Sequence, residues 1–190
     1  MKTDIILAGV GGQGILSIAN VIGQAALKEG LYIKQAEVHG MSQRGGDVHS
    51  NLRISSKPVF SDLISLGQAD IIIAMEPMEA LRYKPFLSFN GWIVTSSNPF
   101  INITGYPEQK KIIDELKKHP NLVLIDTDTL GKENKMPKAV NMILLGAASK
   151  ALKNISYNRL KESVKTIFNN KGEAIVEMNI KALEIGRNYK

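Results

Sequence analysis

The sequence predicts an α/β protein: a doubly wound, mostly parallel sheet with helices on both faces and a helical C-terminus. Three features predict it. Short apolar runs of strand character alternate with segments whose apolar residues recur at helical spacing. The first run ends in Gly9-Val10-Gly11-Gly12-Gln13-Gly14, a glycine-rich turn leading from a strand into a helix. Past Asp126 the β-branched runs stop, and helical patterns follow one another.

Ile5-Ile6-Leu7-Ala8 is an apolar run closed by glycine, the pattern of a buried strand. Ile15, Ile18, Ile22 and Ala25 then share one helical face, and Gly30 after Lys28-Glu29 is a C-terminal stop. Residues 31–38 suit a second strand and 48–54 a third. Residues 69–74 are continuous and β-branched, as expected where helices cover both sheet faces, and 91–95 and 122–125 are of the same kind. Helices are expected at about 76–84 and 107–118, with Pro107 at the first helical position of the latter. Residues 138–152 are apolar and alanine-rich. In 157–168 the side chains of Leu160, Val164, Ile167 and Phe168 form one face, and in 173–187 Val176, Ile180 and Leu183 align. With no repeat or long linker, and only a local break at Asn134–Pro137, residues 1–190 read as a single domain.

The chain has 190 residues and no cysteine, which excludes disulfides and any thiolate-held zinc or iron–sulfur cluster within it. Redox chemistry would need a borrowed cofactor. The N-terminal apolar run is too short for a signal peptide, and no stretch approaches the roughly 20 apolar residues that span a bilayer. A cytoplasmic protein without a membrane partner is the expectation. The net charge of +6 arises within residues 96–190, where lysines are dispersed among acids with few aromatics. That pattern fits a solvated helical face, or at its sharpest an acidic partner, rather than nucleic acid.

The turn at Gly9, Gly11, Gly12, Gln13 and Gly14 allows backbone to approach a phosphate at a helix N-terminus, or simply lets helix and strand pack closely. Both readings stand on spacing alone. Glu37, 23 residues after Gly14, has the position of a ribose-binding acid. It also opens a second loop that a dinucleotide site does not need: Glu37, Val38, His39, Gly40, Met41, Ser42, Gln43, Arg44, Gly45, Gly46 and Asp47. This loop crowds a carboxylate, an imidazole, a hydroxyl, an amide and a guanidinium at the carboxyl edge of the sheet, where open α/β sheets bind ligands. Arg44 suits a phosphate or carboxylate, Gly45-Gly46 can present amides to an anion, and His39 can donate a hydrogen bond or move a proton. His39, His49 and the remote His119 have no metal-ligand spacing, and neither a nucleophile elbow nor an HExxH pair is present.

Together, Gly9–Gly14 and Glu37–Gly46 resemble the gamma subunit or domain of the 2-oxoacid:ferredoxin oxidoreductases, and within that family the small (beta) subunit of the indolepyruvate enzymes. Ala69-Asp70, Glu76–Leu81, Asn141–Gly146 and Glu177–Ala182 extend the match over nearly the full length. Asp47, His49 and the Lys/Asn-rich C-terminal half depart from the pattern, which bears on the particular oxoacid rather than the family. The resemblance implies a Rossmann-like α/β sandwich, in agreement with the strand–helix pattern. It also implies an enzyme in which thiamine diphosphate attacks a 2-oxoacid, carbon dioxide leaves, electrons pass through iron–sulfur clusters to ferredoxin, and coenzyme A takes the acyl group.

On that resemblance this chain is the non-cluster component. Thiamine diphosphate, magnesium and the clusters sit on a larger partner subunit, ferredoxin is reached through the complex, and coenzyme A is met at the interface. The 37–46 loop is then expected to face the partner's active site, with Arg44 on an anionic group and His39 orienting its neighbours. The isolated chain is expected to be inactive. Two other classes remain: an NAD(P)-dependent dehydrogenase using the first glycine loop, and a non-catalytic interface module. The first lacks chain for a catalytic domain and any Ser/Tyr/Lys or His/Arg/Asp constellation.

Overall fold

Six strands form one sheet in the order β2 (Tyr32–His39), β3 (Asp47–Ser55), β1 (Lys2–Val10), β4 (Ala69–Ala74), β5 (Leu87–Ser96) and β6 (Leu122–Ile125). The computed structural model describes residues 1–40 and 45–189. Strands β1, β4, β5 and β6 pair in parallel, whereas β3 pairs antiparallel with both β1 and β2. The mostly parallel expectation holds, with this one reversal. Its cause is the short link between His39 and Asp47, which cannot contain the dozen or more residues of a parallel crossover and closes a hairpin instead.

Alternation along each strand feeds two cores. Ile5, Leu7, Ile71, Ile73 and Val94 face one layer of helices, formed by α1 (Ile15–Lys28), α5 (Val140–Ala148), α6 (Tyr157–Phe168) and α7 (Glu173–Asn188). Ile6, Ala8, Ile72, Ala74 and Ile93 face the other, formed by α2 (Pro77–Tyr83) and α3 (Gln109–Leu116). Helix α5 is buried from Asn141 to Ala148, between sheet and α7, which explains a segment apolar all round.

Two elements depart from expectation. Helix α3 begins at Gln109 rather than at Pro107, because Tyr106 is anchored on Glu76 and the chain stays extended through Glu108. A helix not foreseen, α4 (Thr127–Glu133), follows β6 at once. Its cap is Asp126, whose Oδ1 accepts from Thr129 N at 2.9 Å; that bond holds the Asp126 carboxyl below its ordinary range. No helix among the described residues is long and apolar enough to cross a membrane.

The chain winds from β1 through α1 outward to β2, and from β4 through α2 and α3 outward to β6. Winding therefore reverses between β1 and β4, where Met75 N donates to Ala8 O at 3.0 Å. A reversal of this kind opens a crevice at the carboxyl ends of the two strands.

Candidate functional site

The two loops singled out from sequence meet at that edge. Gly11 N donates to Gly46 O at 2.8 Å and Gly45 N to Gly11 O at 3.3 Å, so they are joined backbone to backbone. Gln13 braces the first turn from within: its Oε1 accepts from Val10 N at 2.7 Å. Asn102, on the loop after β5, donates its amide to Gly45 O and adds a third segment to the edge. Met41, Ser42, Gln43 and Arg44 lie outside the described residues.

Gly14 caps α1 in a left-handed conformation with φ of 82°, and a Cβ there would stand 2.6 Å from Asn141 Nδ2, which donates to Gly14 O at 3.2 Å. Both backbone and space demand glycine. Gly14→Ala is therefore expected to cost about 1 to 3 kcal/mol in urea denaturation, and a variant as stable as the parent would refute that account.

Two clefts flank the first loop. The larger, about 580 Å³, opens where winding reverses. Gly12, Gln13 and Gly14 form one side, Asn98, Thr127 and Asp128 another; Lys138, Asn141, Lys171 and Asn179 come from the helical layer, with Phe168, Ile175 and Met178 as apolar wall. The smaller, about 370 Å³, lies on the outer side and is lined by Gly11, Gly12, Gly14, Leu16, Glu37 and His39. Glu37 and His39 are thus brought to the glycine loop, but not as a dinucleotide site arranges an acid. Strand β3 intervenes between β2 and β1, and Glu37 stands level with Ser50 and Leu7, below the turn. The amide of Gly11 is also spent on Gly46 rather than turned toward a ligand. His119 contacts Gly91 O at 2.9 Å, next to the start of β6 at the opposite edge of the sheet, and among the described residues no group of three or more His, Asp and Glu could hold a metal.

Sequence reasoning missed the lysines and asparagines of the larger cleft. Asn141 was within reach, since Asn141–Gly146 belonged to the resemblance; Lys138 and Lys171 carry no local pattern at all. Asp47, the last residue of the second loop, and His49, without metal-ligand spacing, both point to the α2 side of the sheet and contact the Tyr83 hydroxyl, Asp47 Oδ2 at 2.9 Å and His49 Nδ1 at 2.7 Å, a pairing the sequence does not announce.

Comparison with known proteins agrees with this fold. Residues 4–189 match the family described as pyruvate ferredoxin/flavodoxin oxidoreductase. The chain is 35% identical to the indolepyruvate oxidoreductase subunit IorB of Archaeoglobus fulgidus, over 99% of this chain and 95% of that one. The 2-oxoglutarate:ferredoxin oxidoreductase from Magnetococcus marinus, solved with 2-oxoglutarate, coenzyme A and succinyl-CoA bound, is similar with a TM-score of 0.76 and 26% identity; the match covers 98% of this chain but only 30% of that one. The keto/oxoacid ferredoxin oxidoreductase gamma subunit from Geobacter sulfurreducens shares the fold, with a TM-score of 0.69 at 22% identity over 97% of this chain and 95% of that one.

Proposed function

Because the chain belongs to the pyruvate ferredoxin/flavodoxin oxidoreductase family and is a subunit of a 2-oxoacid:ferredoxin oxidoreductase, we propose that it completes the active-site and coenzyme A side of a larger thiamine-binding partner. The enzyme so formed oxidatively decarboxylates a 2-oxoacid to an acyl-CoA and reduces ferredoxin. Indolepyruvate or another aryl pyruvate is the substrate that the name of the Archaeoglobus relative supports. The setting that goes with this reading is the cytoplasm.

The larger cleft is the observation that carries the proposal. It combines the N-terminus of α1, the cations of Lys138 and Lys171 and the amides of Asn98 and Asn141 with the apolar side chains of Phe168, Ile175 and Met178. Phosphates suit the first group, and a flat or aliphatic body suits the second. Coenzyme A has both parts and supplies the thiol that accepts the acyl group. The task of this chain is to hold the phosphates, orient the cofactor and keep water off the apolar wall. Iron–sulfur clusters do not fit the chain, which has no thiolate to bind them. Clusters, thiamine diphosphate and magnesium are accordingly assigned to the partner, and the isolated chain is expected to turn over no substrate.

The test uses the assembled enzyme. Replacing Lys138 and Lys171 together with Ala is expected to raise the KM for coenzyme A about tenfold while kcat changes little, the signature of lost binding rather than lost chemistry. An unchanged KM would overturn the assignment of this cleft. Arg44→Ala is expected to lower activity of the complex while leaving the subunit folded.

A further inference from the structure

A half-buried polar cluster on the α2 side of the sheet joins the two segments that frame the candidate face. Tyr83, at the end of α2, has its hydroxyl 2.9 Å from Asp47 Oδ2 and 2.7 Å from His49 Nδ1, with its ring 4.6 Å from the imidazole. Asp47 follows Gly46 directly, and its carbonyl accepts from Gly40 N at 3.3 Å, so this contact fixes the root of the second loop. At the other end of α2, the buried Glu76 receives the Tyr106 hydroxyl and so anchors the segment that precedes α3. The two anchored segments then meet each other through Asn102 and Gly45. One short helix thus braces both loops, and a direct contact between them closes the ring.

We propose that α2 is the positioning element of the candidate active-site face, with Tyr83 acting through Asp47 and His49, and Glu76 through Tyr106. The inference rests on the reading that this face completes the partner's active site. Tyr83 makes no contact there itself; its hydroxyl gives its hydrogen to the Asp47 carboxylate, which leaves its oxygen to accept from His49 in the tautomer that carries hydrogen on Nδ1. Burial favours the neutral imidazole by lowering its pKa, against the pull of Asp47, and raises the pKa of the Tyr83 hydroxyl, so the hydroxyl keeps its hydrogen at neutral pH.

Glu79, on the same helix, adds a carboxyl whose charge changes near neutral pH. The groups facing Glu79 are Arg82 and Tyr83 on its own helix, Asp47 on β3 and Tyr106 before α3, and its backbone N–H donates to Glu76 Oε2 at 2.9 Å. Burial first, and then Asp47, push the Glu79 carboxyl up to about 7, although Arg82 Nε donates to it at 2.8 Å. The folded chain therefore holds this proton more tightly than the unfolded one. The stability that goes with it is whole below the ordinary value of 4.5 and is lost as pH rises through about 7, when a second negative charge develops beside Asp47.

Tyr83→Phe keeps the ring and removes only the hydroxyl. In the whole chain it is expected to speed amide hydrogen exchange about tenfold in 45–49 and 98–106, with β4 and α7 unchanged. In the assembled enzyme it is expected to lower kcat/KM about five- to tenfold. Glu79→Gln cannot ionise, and its activity is expected to stay flat above pH 7 where the parent declines. Unchanged exchange in Tyr83→Phe, or a parental pH profile in Glu79→Gln, would overturn the positioning role alone. Faster exchange with unaltered activity would overturn the reading of the face on which it rests, and the inference with it.

Discussion

Gly186→Ala is expected to unfold much of the C-terminal layer, at a cost of at least about 3 kcal/mol, whereas Gly23→Ala in α1 is expected to stabilise the protein by about 0.5 to 1 kcal/mol. The two substitutions are chemically identical and both lie inside helices, so helix propensity favours both. Contact decides the sign. A Cβ on Gly186 would stand 1.8 Å from the carbonyl oxygen of Ile143 and 2.8 Å from Ala147 N, both backbone atoms of the buried helix α5. The reciprocal contact is as severe, since a Cβ on Gly146 would lie 2.1 Å from Leu183 O. Helices α5 and α7 touch through their backbones here, and neither can yield without moving a helix that fills the space beside the sheet. A Cβ on Gly23 meets only Ile33 Cδ1, at 3.9 Å. Urea denaturation of both variants checks the contrast; with a total stability of about 5 to 15 kcal/mol for a typical domain, the loss at Gly186 alone is a large fraction. If Gly186→Ala cost no more than an ordinary surface change, the backbone contact of α5 and α7 would be refuted.

The proposed function depends on that packing, because Lys138 just before α5 and Asn141 within it line the larger cleft, as do Lys171 just before α7 and Ile175 in its first turn. A shift of α7 moves the cationic side of the cleft as a unit. Gly186→Ala should therefore damage the proposed coenzyme A binding through the fold, unlike the Lys138 and Lys171 replacements, which are expected to leave stability nearly unchanged.

What could be read from sequence was whatever is local. Ile71-Ile72-Ile73 announces a strand covered on both faces, because each side chain needs an apolar environment wherever it points. The glycine turn is legible for the same reason, its backbone demands being met within six residues. Strand direction is not written in composition: β3 reads like any other strand, and only the short link before it forces the hairpin. Helix α4 escaped notice because its cap, Asp126 with Thr129, precedes a segment with almost no apolar face. The site divides in the same way. Both loops were visible as loops, and the structure joins them at Gly11, Gly45 and Gly46. Their partners Lys138, Lys171 and Tyr83 were not, since a lysine or tyrosine on a helix looks the same whether it faces solvent or a cleft built from residues a hundred positions away.

The second large effect lies at the far edge of the sheet from this face, where Arg53→Ala is expected to cost about 3 kcal/mol. Asp4 and Arg53 are cross-strand partners in β1 and β3, and Asp4 has no exposed surface. Arg53 grips it with a fork, Nε to Oδ1 at 3.0 Å and Nη2 to Oδ2 at 3.2 Å, while Nη1 holds Ser61 O at 3.1 Å and Leu63 O at 3.0 Å. Truncation strands the carboxylate in the sheet and releases the loop. Lys2 remains 2.8 Å from Asp4, which puts the expected cost at the lower end of what breaking a buried pair exacts. Replacing both partners, Asp4→Leu with Arg53→Met, is expected to be less damaging than Arg53→Ala alone although it removes more charge, because no buried ion is then left unpaired and the half-exposed Lys2 is solvated. Denaturation of the single and double variants decides the matter. A double variant as unstable as the sum of its parts would mean that the two side chains are not coupled, and would refute the stranded carboxylate as the source of the cost. Because this pair touches neither cleft, the activity per folded molecule of the assembled enzyme should survive in both variants, which separates what holds the fold from what forms the site.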